Sequence, residues 1–145
     1  MAGPTTGKGK KAKGNNYERE IIKYWQSFGI DCSRNALTGQ TLDQGDVLGV
    51  PDWTVQCKAY SNVATGIAQG VDGSLVQQTT NGTEWTVAIV KRPRRNVIDS
   101  YCVMPLHLFT KLLLKQLGLT AAIKRLAVRN IELEQIVLAY KAKEE

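Results

Sequence analysis

The sequence has little histidine and little cysteine. His107 is the only histidine, and the three cysteines, Cys32, Cys57 and Cys102, are scattered and form no CxxC pair. This excludes the usual zinc-ligand spacings and a disulfide framework, so we expect reduced, mostly buried thiols. A single histidine also leaves little for histidine-based metal sites or histidine-activated nucleophiles. Any catalysis is therefore expected from carboxylates, amides and lysine.

Long hydrophobic runs are also missing. No stretch approaches the roughly 18 apolar residues that cross a membrane, and no apolar segment follows the basic N-terminus as in a secretory signal. We therefore expect a cytoplasmic protein.

The first 14 residues contain four lysines and no acidic residue, within a net charge of +6. A basic chain favours a polyanionic partner. The segment 1–14 has almost nothing to bury, so we predict a disordered basic tail. It serves either as an arm that contacts DNA or only as a solubilising segment, and the sequence leaves both open.

After this tail we predict one domain, residues 15–145, of the α/β class with a mixed central sheet and extra C-terminal helices. Order is expected to begin at the helix-capping pair Asn15–Asn16. The segment 62–73 has the composition of a loop. The predicted helices are 17–28, 74–80, 106–117, 120–129 and 131–142, and the predicted strands are 30–35, 46–48, 53–60, 85–90 and 100–104. Apolar residues of the C-terminal helices are interpreted as core: Leu112, Leu113, Leu117, Leu133, Ile136, Val137 and Tyr140.

The candidate chemistry lies on the strand 53–60. Side chains alternate along a strand, so Gln56 and Lys58 share one face, an arrangement that is also common on solvent-exposed sheets. A tight turn near residues 49–51 would bring Asp46 beside Gln56. A carboxylate and an amide oxygen suit Mg²⁺ or Mn²⁺, and a nearby lysine can activate water or offset phosphate charge. Asp52 lies too close to Gln56 in sequence for a hairpin and is interpreted as a turn residue, whereas Asp43 remains a competitor for Asp46.

The first helix carries a carboxylate at an unusual position. Glu18 lies about 30° from the centre of the apolar stripe, whereas Glu20 lies about 130° away and should face solvent. Glu18 either interacts favourably with the helix N-terminus or reaches the same site as Asp46.

Four short segments together resemble a known family. They are YEREIIK at 17–23, CSR at 32–34, GDV at 45–47 and VQCK at 55–58. In order and spacing they resemble the archaeal-type Holliday-junction resolvases and their phage relatives, within the PD-(D/E)xK nuclease superfamily. The resemblance covers under a third of the chain and implies a restriction-endonuclease-like core.

The resemblance implies roles for individual residues at a metal site. Asp46 would be the central metal ligand and Lys58 the catalytic lysine. Gln56 would occupy the place of the usual acidic ligand, which is a departure from the family pattern that weakens metal binding. Cys57 would offer its backbone carbonyl, and Glu18 would assist metal binding from the helix.

Arginines are the candidates for DNA contact. The resemblance implies that Arg19 and Arg34 contact phosphates or help to set the site. Arg92, Arg94 and Arg95 form a basic turn that either binds phosphate oxygens or is an ordinary charged surface turn.

These features predict a Mg²⁺-dependent DNA endonuclease acting on branched DNA, most specifically Holliday junctions. A restriction- or repair-type nuclease on other DNA structures and a degenerate, non-catalytic DNA-binding module remain as alternatives. The resemblance further implies a homodimer, because a four-way junction has two-fold symmetry and needs two matched cuts.

Overall fold

The computed structural model describes residues 7–36 and 45–142. The protein is α/β, with a five-stranded mixed sheet flanked by helices. Contacts divide it into two compact units, residues 1–105 and 106–145. In chain order the elements are α1 (Gly7–Gln26), β1 (Ser33–Arg34), β2 (Val47–Leu48), β3 (Trp53–Lys58), α2 (Val63–Asn81), β4 (Trp85–Val90), a short 3₁₀ helix (Val97–Asp99), β5 (Tyr101–Val103) and α3 (Leu106–Lys141).

The sheet has the strand order β1-β2-β3-β4-β5. Antiparallel pairing joins β1 to β2, β2 to β3, and β4 to β5, whereas β3 and β4 are parallel. Parallel neighbours need a crossover connection, and α2 provides it between β3 and β4. The sequence-based prediction of a mixed central sheet is therefore confirmed.

One face of β3 packs on α1 through an apolar core. Val55 and Cys57 are buried there with Tyr17 and Ile21 of α1. These β3 side chains alternate with Gln56 and Lys58, so the predicted two-faced pattern of this strand is confirmed. The Tyr17 hydroxyl donates a 2.8 Å hydrogen bond to Ser100, which ties α1 to the segment before β5.

The opposite face of β3 is covered by α2. We predicted a loop over 62–73 and a helix only over 74–80, but the helix spans Val63–Asn81. Asn62 caps its N-terminus through a hydrogen bond from the Thr65 N–H at 3.1 Å. The glycine content suggested a loop, yet Gly66 and Gly70 are buried against the sheet, and their missing side chains let the helix approach closely.

The first helix begins earlier than predicted. We expected order to start near Asn15–Asn16, but α1 begins at Gly7. Once the packed part of a helix is formed, adding residues costs little, and lysine and alanine are good helix formers. The prediction of a disordered tail therefore does not hold for residues 7–14, and residues 1–6 lie outside the described part of the chain.

The C-terminal unit contains one helix instead of the three predicted. α3 continues through Gly118, and no proline follows Pro105 to interrupt it. One interior glycine costs only about 1 kcal/mol. The interpretation of its apolar residues as core is wrong for six of the seven, since these side chains are exposed: Leu113, Leu117, Leu133, Ile136, Val137 and Tyr140.

Candidate active site

A hairpin places Asp46 beside the middle of β3. Val47 of β2 pairs with Val55 of β3, and the Asp46 N–H donates to the Val55 carbonyl at 2.8 Å. Gly45 has a φ of 91°, and a Cβ there would lie 2.8 Å from the Val55 carbonyl oxygen. Only glycine fits this close approach, so the residue before Asp46 is part of how the carboxylate is placed.

The Asp46 carboxylate accepts two hydrogen bonds from β3. Its Oδ2 lies 2.7 Å from the Gln56 Nε2 and 2.6 Å from the Cys57 backbone N–H. The Gln56 Oε1 is buried and has no hydrogen-bond partner in the part of the chain that the structure describes. The predicted neighbourhood of Asp46 and Gln56 is therefore present, with the amide turned so that its N–H groups face the carboxylate.

The turn residues behave as the sequence suggested. Asp52 adopts a φ of 61° and is exposed, and its carbonyl accepts from the Trp85 N–H at 2.9 Å. It thus serves the turn between β2 and β3. Asp43, the competitor for Asp46, lies outside the described residues.

Lys58 is held by the glycine face of α2. A Cβ at Gly70 would lie 3.2 Å from the Lys58 Cγ, and one at Gly66 would lie 3.8 Å from the Lys58 Cβ. The two glycines therefore bracket the aliphatic stem of Lys58. Within the described residues, no carboxylate forms an ion pair with its ammonium group.

Glu18 points inward from α1 but is already paired. Its Oε2 lies 2.5 Å from the Arg34 Nε, and Arg34 also donates to the Asn15 Oδ1 at 2.8 Å. The pair is largely buried and links α1 to β1. Glu20 faces solvent as predicted, where it pairs with Lys91 at 3.3 Å.

These groups line one open cleft of about 730 Å³. The sequence-based prediction placed Glu18, Asp46, Gln56, Cys57 and Lys58 together, and all five line this cleft. The sequence interpretation missed Thr65 and Gln69 of the polar lining, because it treated 62–73 as a loop. A predicted helix starting at Val63 would have placed Thr65 and Gln69, which are four residues apart, on the same helix face. The additional lining residues with polar groups are Lys13, Tyr60, Ser61, Asn62, Thr65 and Gln69.

The oxygen donors of the cleft include a backbone group of Cys57. The N–H and C=O of a strand residue point to the same side, so the Cys57 carbonyl lies on the side of the Asp46 carboxylate. Burial raises the pKa of the Cys57 thiol well above its ordinary value, and the charges of Asp46 and Glu18 raise it further. The thiol is therefore neutral in the absence of a metal ion.

No group of three His, Cys, Asp or Glu side chains in residues 7–36 and 45–142 is arranged to hold a metal ion. The side chain in contact with Asp46 is the Gln56 amide, and Glu18 is turned toward Arg34. The remaining donors are oxygens of the kind that Mg²⁺ accepts, a carboxylate, an amide and a carbonyl. The buried Gln56 Oε1 without a partner fits this role, because rotating the amide by 180° would bring it to Asp46.

The arginines proposed for DNA contact are spread over three places. Arg19 is exposed on α1 and donates to Asn16 at 3.2 Å. Arg34 lies in the Glu18 pair beside the cleft. In the turn after β4, Arg92 lies over the Tyr101 ring at 5.0 Å, and two further arginines are exposed there: Arg94 and Arg95.

No protein-family model, no curated protein and no solved structure matches this chain. Among the described helices, none combines the length and apolar character needed to cross a membrane.

Proposed function

We propose that this protein is a metal-dependent DNA endonuclease whose active site is the cleft around Asp46. The observation that carries the proposal is the convergence on one cleft of the Asp46 carboxylate, the Gln56 amide and the Lys58 ammonium. A carboxylate and an amide oxygen beside a lysine that pairs with no carboxylate of the described residues suit a divalent cation and a phosphate group together. The strand and helix order around this cleft is also compatible with a restriction-endonuclease-like core.

Asp46, Gln56 through its oxygen and the Cys57 carbonyl would hold Mg²⁺, or Mn²⁺, with Glu18 assisting after release from Arg34. When bound, the cation would polarise the phosphate and lower the pKa of water. The backbone N–H of Cys57, which stays in place when the Gln56 amide turns, fixes the orientation of the Asp46 carboxylate. A preorganised ligand avoids reorganisation on binding.

Lys58 would act on the phosphate itself. A water molecule or hydroxide would attack the phosphorus in line, the bridging P–O bond opposite to it would break, and the departing oxygen would take up a proton from solvent. The Lys58 ammonium would offset the negative charge that develops on the phosphate oxygens. Its stem is packed between Gly66 and Gly70, which limits the positions that the charge can reach.

Branched DNA, and specifically a Holliday junction, is the substrate that the sequence resemblance favours. The exposed Arg19, Arg94 and Arg95 offer guanidinium groups for phosphates. Two matched cuts in a two-fold symmetric junction would require a homodimer.

The test is incubation of the full chain with a synthetic four-way junction or a matched linear duplex, with Mg²⁺ or EDTA. Paired symmetric cuts in the junction alone, only with Mg²⁺, are expected. The Asp46→Asn variant serves as the control for contaminating nuclease. Equal cutting of the duplex would overturn the junction specificity and favour a restriction- or repair-type nuclease.

A second candidate is a DNA-binding module without catalysis. It is favoured by the Gln56 amide, which donates a hydrogen bond to the Asp46 carboxylate where a cation would otherwise bind. Binding of the junction with no cutting in Mg²⁺ or Mn²⁺ would support this module and overturn the endonuclease proposal.

A further inference from the structure

The α3 helix carries a seven-residue repeat of large apolar side chains. Leucines stand at 112, 119, 126 and 133, and Tyr140 continues the same spacing. Three residues before each of these lies a second row: Phe109, Gln116, Ile123, Asn130 and Val137. In heptad notation the leucine row occupies the d positions and the second row the a positions, over more than four heptads.

The side chains of these rows are largely exposed. Leu119 is 59 % exposed, Ile123 65 % and Leu126 61 %. A helix of 36 residues whose apolar side chains are largely exposed is unusual, because helical stability in proteins comes mainly from the packing of an apolar face. A regular pattern much longer than 25 residues is typical of a coiled coil, a membrane span or a helical repeat. A membrane span is ruled out within the described residues.

We propose that α3 is a leucine zipper that pairs with α3 of a second copy of this chain, as a parallel two-stranded coiled coil. Leucine at d, with isoleucine and valine among the a positions, favours this state. The inference concerns α3 alone and does not depend on the cleft around Asp46 being a nuclease site.

The polar residues of the a row select the parallel orientation. In a parallel, in-register pair, Gln116 faces Gln116 and Asn130 faces Asn130, so each amide meets another amide. In the centred antiparallel pair, Asn130 would face Leu119 and Gln116 would face Leu133. Buried amides without partners are costly, and a single Asn at an a position specifies register and dimer state.

Charge on the flanks of the seam agrees with the parallel arrangement. In the same notation Arg129 occupies a g position and Glu134 the following e position. In a parallel dimer the g residue of one helix meets the next e residue of the other, so Arg129 and Glu134 form opposite-charge pairs on both sides. No like-charge g–e′ pair occurs along the repeat.

The test compares two leucines with equal exposure on different faces. Leu119 at d is 59 % exposed, and Leu117 at b is 58 % exposed. The full chain should sediment as a dimer at micromolar concentration. Leu119→Lys should raise the dimer dissociation constant at least about a hundredfold, whereas Leu117→Lys should change it less than about threefold. A monomeric wild-type chain, or equal effects of the two variants, would overturn the proposal.

A second variant, which should strengthen association, tests the proposal even if Leu119→Lys fails to fold. Asn130→Ile should strengthen association and broaden the oligomer distribution beyond dimers, because the polar layer that specifies two strands is lost. An unchanged association constant and distribution would contradict the zipper. Orientation is tested by Tyr140→Cys in a Cys102→Ser background, where oxidation should produce a disulfide-linked dimer. Absence of this crosslink in a dimeric sample would exclude the parallel register.

Discussion

The Asp46 carboxylate and the Gln56 amide lie in direct contact, with 2.7 Å between Oδ2 and Nε2. The hairpin between β2 and β3 makes this contact possible, and the adjacent Cys57 N–H reinforces it at 2.6 Å. Asp46 directly precedes β2, and Gln56 is a buried residue of β3. If the site binds a metal ion, the Gln56 amide must turn its oxygen toward the cation and give up this hydrogen bond. If the site binds DNA without a cation, the hydrogen bond remains.

Asp46→Asn should abolish DNA cleavage, a loss of at least roughly a hundredfold in rate, while DNA binding is largely retained. The variant keeps an oxygen for the Cys57 N–H but loses the charge that binds a cation. Gel assays of junction cleavage and binding, made on the same protein sample, measure both effects. Cleavage that persists at the wild-type rate would remove Asp46 from the proposed site.

Gln56→Glu should keep or increase Mg²⁺ affinity, because it restores a second carboxylate to the donor set. Without a cation, two carboxylates at hydrogen-bond distance repel each other, which raises the pKa of the introduced group. A raised carboxyl pKa costs no stability below about pH 4, and its cost grows as the pH rises toward 7.

The measurement for Gln56→Glu is the free energy of unfolding at several pH values, with EDTA or Mg²⁺. The deficit relative to wild type should grow with pH in EDTA and shrink when Mg²⁺ is added. A deficit that is independent of pH and of Mg²⁺, with the fold intact, would argue against a cation between these two residues.

Lys58→Met should lower the cleavage rate by roughly 10²–10³-fold while the fold is preserved. Methionine replaces most of the stem that packs between Gly66 and Gly70 but has no charge. Lys58→Ala should lose the same activity and some stability as well. Lys23→Ala, at an exposed lysine of α1, is the matched control. Similar rates for Lys58→Met and the control would show that the ammonium is not catalytic.

The hairpin and the site on it were predictable because their signals are local. Strand alternation placed Gln56 and Lys58 on one face of β3, and the short turn brought Asp46 alongside. The position of Glu18 near the apolar stripe of the helix correctly predicted that its side chain points inward. Its partner was not predictable, because the contact with Arg34 depends on how α1 lies across β1, which no local pattern specifies.

The extents of two helices were predicted incorrectly, because glycine can end or weaken a helix but can also allow a helix to pack closely. In α2, Gly66 and Gly70 lie against the sheet and allow close packing, although glycine weakens an isolated helix. In α3, Gly118 was interpreted as a break but lies within a continuous helix. The apolar residues of α3 were interpreted as core because hydrophobic residues are usually buried, and composition alone does not distinguish core from an interface between chains.

The thiols should differ in reactivity. Cys57 and Cys32 are buried, and burial raises the pKa of both, whereas Cys102 is exposed. An alkylating reagent at about pH 8 should therefore modify Cys102 first, and all three should react after denaturation. Partial burial also raises the pKa of the Cys102 thiol, so the rate at which it is alkylated should increase with pH. Mass spectrometry of timed samples locates the label, and early modification of Cys57 would contradict its burial in the core.

Gly70→Ala should be less stable than Gly73→Ala by about 1–3 kcal/mol, although the two substitutions are chemically identical. Both gain helix propensity on α2, so this term cancels in the comparison. A Cβ at Gly70 would lie 3.0 Å from the Ala88 Cβ and 3.2 Å from the Lys58 Cγ, whereas the nearest atom at Gly73, the Gln56 Oε1, is 3.9 Å away.

The overpacked helix in Gly70→Ala must shift away from the sheet or displace the stem of Lys58. Cleavage should therefore fall further in this variant than in Gly73→Ala, since the position of the ammonium depends on that contact. Urea denaturation measures the stability difference, and the junction assay measures the rates. Equal stabilities would mean that α2 does not approach β4 as closely as the Gly70 contact requires. A stability difference with equal rates would instead mean that displacing the stem leaves the lysine charge where catalysis needs it.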